Sequence, residues 1–385
     1  MHLKSVQKIV SSLHKIASNS EGFASGDGKY SRYIHEEISY ALSPELQALF
    51  SEQVSSILNY SDISEKFTEK YISKQLREIV VELLRNSSFN AEGGIQHIIL
   101  ELEAQQKQYS VYLALNGVKT NSRINLGAVS IIPGGSSFIS DLNHKLELIC
   151  LDSKLEEDYI SDVQKLAREG FEREFSTSAV IEFCVRAEPS RAKERAREES
   201  QFAVDILRLI SKCCLPMGDD IRIGVRGEKF TTPRYSAAFS EDSFHPSNDF
   251  VGSSYWLDLN ERNLGKAREL GIIQLADRYH EDRLSALDEV LLRAIHWLSV
   301  AISQDEPETS LITLFVALEC IFKQSHGSSI SSVVCESTAF LISDSLEGRC
   351  RISQGVRKLY GKRSAVSHGG KKRVTEGDKL IDGQK

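Results

Sequence analysis

The last third of the chain constrains its fold more tightly than any motif does. Leu287, Val290, Leu291, Ala294, Ile295, Leu298 and Ile302 recur every three or four residues, a spacing that lays one apolar stripe along a helix. Ser285, three residues before Asp288, gives that helix a capping-box start. After Pro307, a second stripe runs through Leu311, Leu314, Phe315, Leu318, Ile321 and Phe322. A third apolar segment covers Ile330 to Ile342, and a fourth runs from about Ile352 to His368. One-striped helices joined by short connections bury their stripes against one another, so residues 259–385 are expected to form a helical bundle.

The rest of the chain has two textures. Residues 1–87 read as helices. Leu3, Val6, Ile9, Val10, Leu13 and Ile16 share a face, which suits a packing helix better than a membrane-surface one. Ser43-Pro44 caps and opens a helix toward Leu58, and Ser61 to Leu84 continues the pattern. From 88 to 258 the reading is a mixed α/β domain. Tyr109, Val111, Leu113 and Leu115 alternate before an Asn116-Gly117 turn, and Ile124 to Ile132 ends in Pro133-Gly134-Gly135. Leu146–Leu151 and Val180–Val185 are apolar runs of strand length, separated by a helical pattern from Leu155 to Leu166. Ile221, Ile223 and Val225 alternate. Pro189 to Cys214 reads as one long helix with a charge-laced face. The fold class is therefore α+β: a mixed N-terminal and central region, then an all-α bundle.

Composition narrows the class. In 385 residues, 41% hydrophobic and 26% charged excludes a disordered chain, and no apolar run reaches the ~18 residues of a spanning helix. Met1 to Val6 lacks the apolar core of a secretory signal. The seven cysteines are scattered without a Cys-x-x-Cys pair, so reduced thiols, a cytoplasmic setting and no zinc site are expected. The net charge is −7, yet from Arg349 onward 11 Lys/Arg face 3 Asp/Glu. A basic end on an acidic body points to an anionic partner there.

No Walker loop, Gly-x-Ser-x-Gly elbow, His-Glu-x-x-His or dinucleotide-binding glycine fingerprint is present. Ser25-Gly26-Asp27-Gly28 has no strand before it and reads as a loop. What remains is Arg363-Ser364-Ala365-Val366-Ser367-His368, an Arg-x4-His pair in the most basic stretch. With 24 arginines and 10 histidines in the chain, that spacing carries little without its context. Read alone, it is a surface arginine and a histidine closing a helix before Gly369-Gly370.

The context is a resemblance. Leu359-Tyr360-Gly361-Lys362-Arg363-Ser364-Ala365-Val366-Ser367-His368-Gly369 resembles the end of an Apea-like HEPN domain, whose last helix carries Tyr-x-x-Arg-Ser-x-x-x-His-Gly. Leu314-Phe315-Val316-Ala317-Leu318-Glu319 is similar to that family's Ala-Leu-Glu segment, and Tyr109 to Ile132 resembles the region before the domain in long members. The resemblance covers about 285–370. It implies metal-independent endoribonuclease activity without a cofactor, used in bacterial antiphage defence or toxin-type growth arrest, with the N-terminal region sensing a phage or other regulatory trigger. It assigns Arg363 and His368 to catalysis, beside Ser364 at a position that is often Asn, Asp or His in better-known members. It further implies RNA, tRNA among the candidates, as substrate, and a homodimer through the C-terminal bundle bringing two motifs into one site, with no membrane partner. Lys362, Lys371, Lys372 and Arg373 are candidate phosphate contacts, and Glu319 and Tyr360 candidate supports. The alternatives are a non-catalytic HEPN protein binding nucleic acid, a nucleotide or a protein, and an interaction protein whose bundle only dimerises.

The chemistry suits the residues. Cleavage through the 2′-OH needs proton transfer, which an imidazole carries near neutral pH, and charge stabilisation, which a guanidinium fork provides. Five residues along a helix separate two side chains by about 140° and ~7.5 Å, so Arg363 and His368 cannot stand side by side on one regular helix.

Overall fold

The computed structural model describes residues 3–20, 31–35, 38–60, 63–104, 107–151, 157–215, 221–227, 234–239, 244–249, 256–304, 306–322 and 329–367. It is α+β, and every element described after Asp258 is a helix. Two compact units divide the chain: residues 1–111 with 184–197, and residues 112–183 with 198–385. These cuts fall elsewhere than the texture changes at 87/88 and 258/259.

The first unit contains α1 (Leu3–Asn19), β1 (Ser31–His35), β2 (Ile38–Leu42), α2 (Pro44–Leu58), α3 (Ile63–Lys66), α4 (Glu69–Arg85) and α5 (Ala91–Ala104), and β3 (Lys107–Asn116) begins in it. The α1 stripe of Val6, Ile9, Leu13 and Ile16 is buried, in one core with Phe50, Ile57, Ile72, Leu76 and Ile95. Ser43 caps α2 by accepting from the Leu46 N–H, with Pro44 at the first helical position. One expectation is corrected here. Residues 31–42 are not helical but an antiparallel hairpin pairing Tyr33 with Tyr40, whose rings stack at 5.3 Å. Cross-strand aromatic pairing of this kind overrides local helical preference.

The second unit takes up the sheet. After β3 come β4 (Val118–Lys119), β5 (Ile124–Leu126), β6 (Val129–Ile132), α6 (Ser136–Leu151), α7 (Glu157–Phe175), β7 (Ala179–Ala187), α8 (Pro189–Cys214) and β8 (Gly224–Val225), of which the end of β7 and the start of α8, residues 184–197, are assigned to the first unit. The five-stranded order is β5-β6-β7-β3-β8, with β5–β6, β6–β7 and β3–β8 antiparallel. Gly127, at φ +60°, turns β5 into β6, and a Cβ there would stand 3.0 Å from the Phe202 ring of α8. The run Leu146–Leu151 is corrected from strand to helix: it is the end of α6, where Leu148, Ile149 and Leu151 are exposed. A short apolar run does not distinguish the two states by period. The Ile221–Val225 alternation shortens to the two residues of β8, although Ile221 and Ile223 are buried as an alternating face requires.

The chain continues through the hairpin β9 (Arg234–Phe239) and β10 (Phe244–Asp249), then β11 (Leu257–Asp258), which pairs parallel to β4. It ends in α9 (Glu261–Glu269), α10 (Ile272–His280), α11 (Ala286–Ile302), α12 (Pro307–Phe322), α13 (Ile330–Ile342) and α14 (Leu346–Ser367). The capping box forms as its sequence requires. Ser285 accepts from the Asp288 N–H, Asp288 accepts from the Ser285 N–H, and Arg278 donates to Asp288 at 2.6 and 3.1 Å. No described helix is long and apolar enough to cross a membrane.

Candidate functional site

Three helices build the C-terminal cluster. Leu311 and Phe315 of α12, Val334 and Cys335 of α13, and Val356 and Leu359 of α14 form its buried core, with Leu318, Phe322, Ile352 and Tyr360 against it. Burial pushes the Cys335 thiol up, which keeps it protonated and unreactive. The core fixes the angle at which α14 crosses α12, and with it the side chains that follow Leu359.

The first of these is Tyr360. Its ring meets Phe315 edge-on at 5.0 Å, and its hydroxyl donates to Glu319 Oε1 at 3.0 Å. Burial, then the acceptor Glu319, raise the phenol above its ordinary value, so it is a donor across the neutral range. Arg363 lies one turn further along α14. Its Nη2 is 3.6 Å from Glu319 Oε1, and its guanidinium lies 5.4 Å from the centre of the Tyr360 ring. Thus Tyr360, Glu319 and Arg363, singled out from sequence on two distant segments, stand together in space. Both charged side chains keep access to solvent, Arg363 at 26% and Glu319 at 20%. Lys362 and Ser364 flank Arg363 on α14, each half-buried. His368, Lys371, Lys372 and Arg373 lie outside the described residues.

A second polar constellation joins α8 to α11. Asp205 is buried, as are its sequence neighbours Val204 and Ile206, and both its oxygens are engaged. Oδ1 accepts from Gln201 Nε2 at 2.7 Å, and Oδ2 contacts His296 Nδ1 at 2.8 Å. One turn on, the buried Arg208 donates to Ser299 Oγ at 2.9 Å and to the Ile223 carbonyl at 2.8 Å. Both pairs are 91 residues apart, and a constant offset means that α8 and α11 run side by side in the same direction. His296 itself is half exposed, at 49%. It opens into a groove of about 340 Å³ lined by Gln201, Phe202, Asp205, Arg293, His296 and Trp297, among others.

No protein-family model matches the chain, and neither does any curated protein or solved structure. The functional reading therefore stands on this chain's own residues. Sequence reasoning found the Glu319–Tyr360–Arg363 group and missed Asp205–His296. A signal for the second was present: each is an isolated polar residue in an apolar run, Phe202-Ala203-Val204-Asp205-Ile206-Leu207 and Ala294-Ile295-His296-Trp297-Leu298. Nothing in either run names the other. Among the described residues, no group of three or more His, Cys, Asp or Glu side chains is placed to hold a metal ion.

Proposed function

We propose that this protein is a metal-independent endoribonuclease of the HEPN type, acting through Arg363 and His368. The observation that carries the reading is the setting of Arg363. A guanidinium on the last turns of α14 is steered by Glu319 and the Tyr360 ring, yet remains open to solvent at the head of the most basic stretch of the chain. A planar fork in that position offers two donors to a phosphate and stabilises charge as the phosphorane forms. In the reaction, an imidazole accepts the 2′-OH proton, O2′ attacks phosphorus, and the P–O5′ bond breaks as the imidazolium returns the proton to O5′, leaving a 2′,3′-cyclic phosphate and a 5′-OH. His368 is the proton carrier in this scheme. Ser364 contributes a hydrogen bond to phosphate but no base. A second copy of the chain, docked through the bundle, would supply the matching half-site. The apolar corner of Phe340, Leu341, Ile342 and Leu346, all exposed, supports that partner. Growth arrest in an antiphage or toxin setting is the biological role this activity would serve.

The test is incubation of the full-length protein with RNA in EDTA. Cleavage by the wild type, lost in both Arg363→Ala and His368→Ala at unchanged circular dichroism, is the expected result. RNA bound but uncut under every condition would replace the nuclease with a non-catalytic RNA-binding protein. Full activity in His368→Ala would place the chemistry elsewhere.

A further inference from the structure

The Asp205–His296 pair is poorly explained as a source of stability. A buried carboxylate loses its hydration, and an apolar residue of similar size would serve packing at least as well. What the pair does achieve is orientation. A carboxylate has only lone pairs to offer, so the 2.8 Å contact requires Nδ1–H to donate. In the neutral ring this fixes the tautomer and leaves the Nε2 lone pair as the acceptor of a hydroxyl proton. Gln201 locks the other carboxylate oxygen, so the imidazole is held from behind while its exposed side opens into the groove.

The groove walls supply the complementary chemistry. Phe202 is a fixed wall, stacked on Tyr279 at 4.0 Å with 16° between the planes. Trp297, 37% exposed, presents an indole, and a flat heteroaromatic ring gains roughly 1–3 kcal/mol by stacking on such a surface. Arg293 precedes Trp297 by four residues on α11, one turn and about 6 Å of rise away. It carries the permanent charge that a phosphate seeks. At about 340 Å³ the space lies at the small end of ligand pockets.

We propose that the groove between α8 and α11 is a mononucleotide-binding site, in which Trp297 takes the base, Arg293 the phosphate and His296 Nε2 a ribose hydroxyl. The site is separate from Arg363 and does not depend on the ribonuclease reading.

The chain has two tryptophans, which makes the test direct. In full-length protein carrying Trp256→Phe, Trp297 is the sole indole, and the phenyl ring still offers Lys119 the aromatic face it occupies at 4.3 Å. Titration with AMP, GMP, CMP and UMP should quench Trp297 emission saturably for at least one of them below about 1 mM. Arg293→Ala should weaken that nucleotide about tenfold and leave adenosine, guanosine, cytidine or uridine unaffected. His296→Ala should weaken nucleotide and nucleoside alike. Arg293 is exposed, so Arg293→Ala should leave the melting temperature unchanged; His296→Ala strips the buried Asp205 of its partner and should lower it, and Arg293→Ala alone decides the matter if His296→Ala does not fold. Absence of saturable quenching with all four nucleotides would overturn the proposal. So would inorganic phosphate binding as tightly as the nucleotide.

Discussion

Glu319 is shared by two partners, and the geometry says which one holds it. The Tyr360 hydroxyl donates to it at 3.0 Å, a hydrogen bond to a charged acceptor of about 1.5–3 kcal/mol; with Glu319 one-fifth exposed, about 1.5 kcal/mol is the reasonable figure. The Arg363 contact is longer, 3.6 Å between partly solvated groups, and such ion pairs contribute about 0–1 kcal/mol. Of the two, tyrosine should therefore be the stronger partner of Glu319. Two double-mutant cycles separate them: Tyr360→Phe with Glu319→Gln, and Arg363→Met with Glu319→Gln. Phenylalanine keeps the ring and its edge contact with Phe315, so only the hydroxyl is tested. The assay is amide hydrogen exchange in peptides covering Leu346–Ser367, which reads local opening of α14 even where the whole chain does not unfold in one step. The tyrosine cycle should return a coupling of about 1–1.5 kcal/mol, approaching a tenfold change in exchange rate, and the arginine cycle about 0.5 kcal/mol or less. A larger coupling for arginine would mean that Arg363 is a structural strut, and would undercut its availability to phosphate.

Other outcomes follow from the same structure. Arg278, then Ser285, hold the Asp288 carboxyl far below the usual aspartate range. A depressed folded-state value contributes stability above about pH 3.9 that is lost as pH falls below it; acid unfolding followed at the start of α11 should show that loss in the wild type and not in Asp288→Asn. Ser285→Ala removes the cap and should cost about 1 kcal/mol in urea unfolding. Gly134→Ala places a Cβ 2.0 Å from the Ser178 carbonyl oxygen and 2.7 Å from that of Phe175; main chain must move, and a lowered melting temperature equivalent to about 1–3 kcal/mol is expected. Leu341→Glu with Leu346→Glu should convert a dimer to a monomer by light scattering, and a wild type already monomeric at micromolar concentration would remove the composite site.

What the sequence disclosed was local. Pro189–Cys214 is a helix from the proline to the second cysteine of the pair, and Ser43-Pro44 and Ser285-x-x-Asp288 open helices where they stand. Each is decided within a few residues by dihedral preference and an end cap. The hairpin at 31–42 went unread because its stability comes from pairing across strands rather than from either strand's composition. Leu146–Leu151 misled because a buried strand and an apolar helix end share one short pattern. The candidate site divides the same way. Glu319, Tyr360 and Arg363 were legible from a resemblance that spans two helices at once, whereas Asp205 and His296 meet only through a packing of α8 on α11 that no local window contains.

That packing also sets a schedule. Asp205 and Arg208 each find one partner on α11, 91 residues further along the chain, and synthesis at ~5–20 residues per second delivers it roughly 5–18 s later. During that interval the nascent α8 carries a carboxylate that lacks its imidazole and a guanidinium that lacks its serine. A ribosome stalled between the two helices would hold an aggregation-prone intermediate, and chaperone occupancy mapped along translating chains should rise once α8 emerges and fall when α11 does.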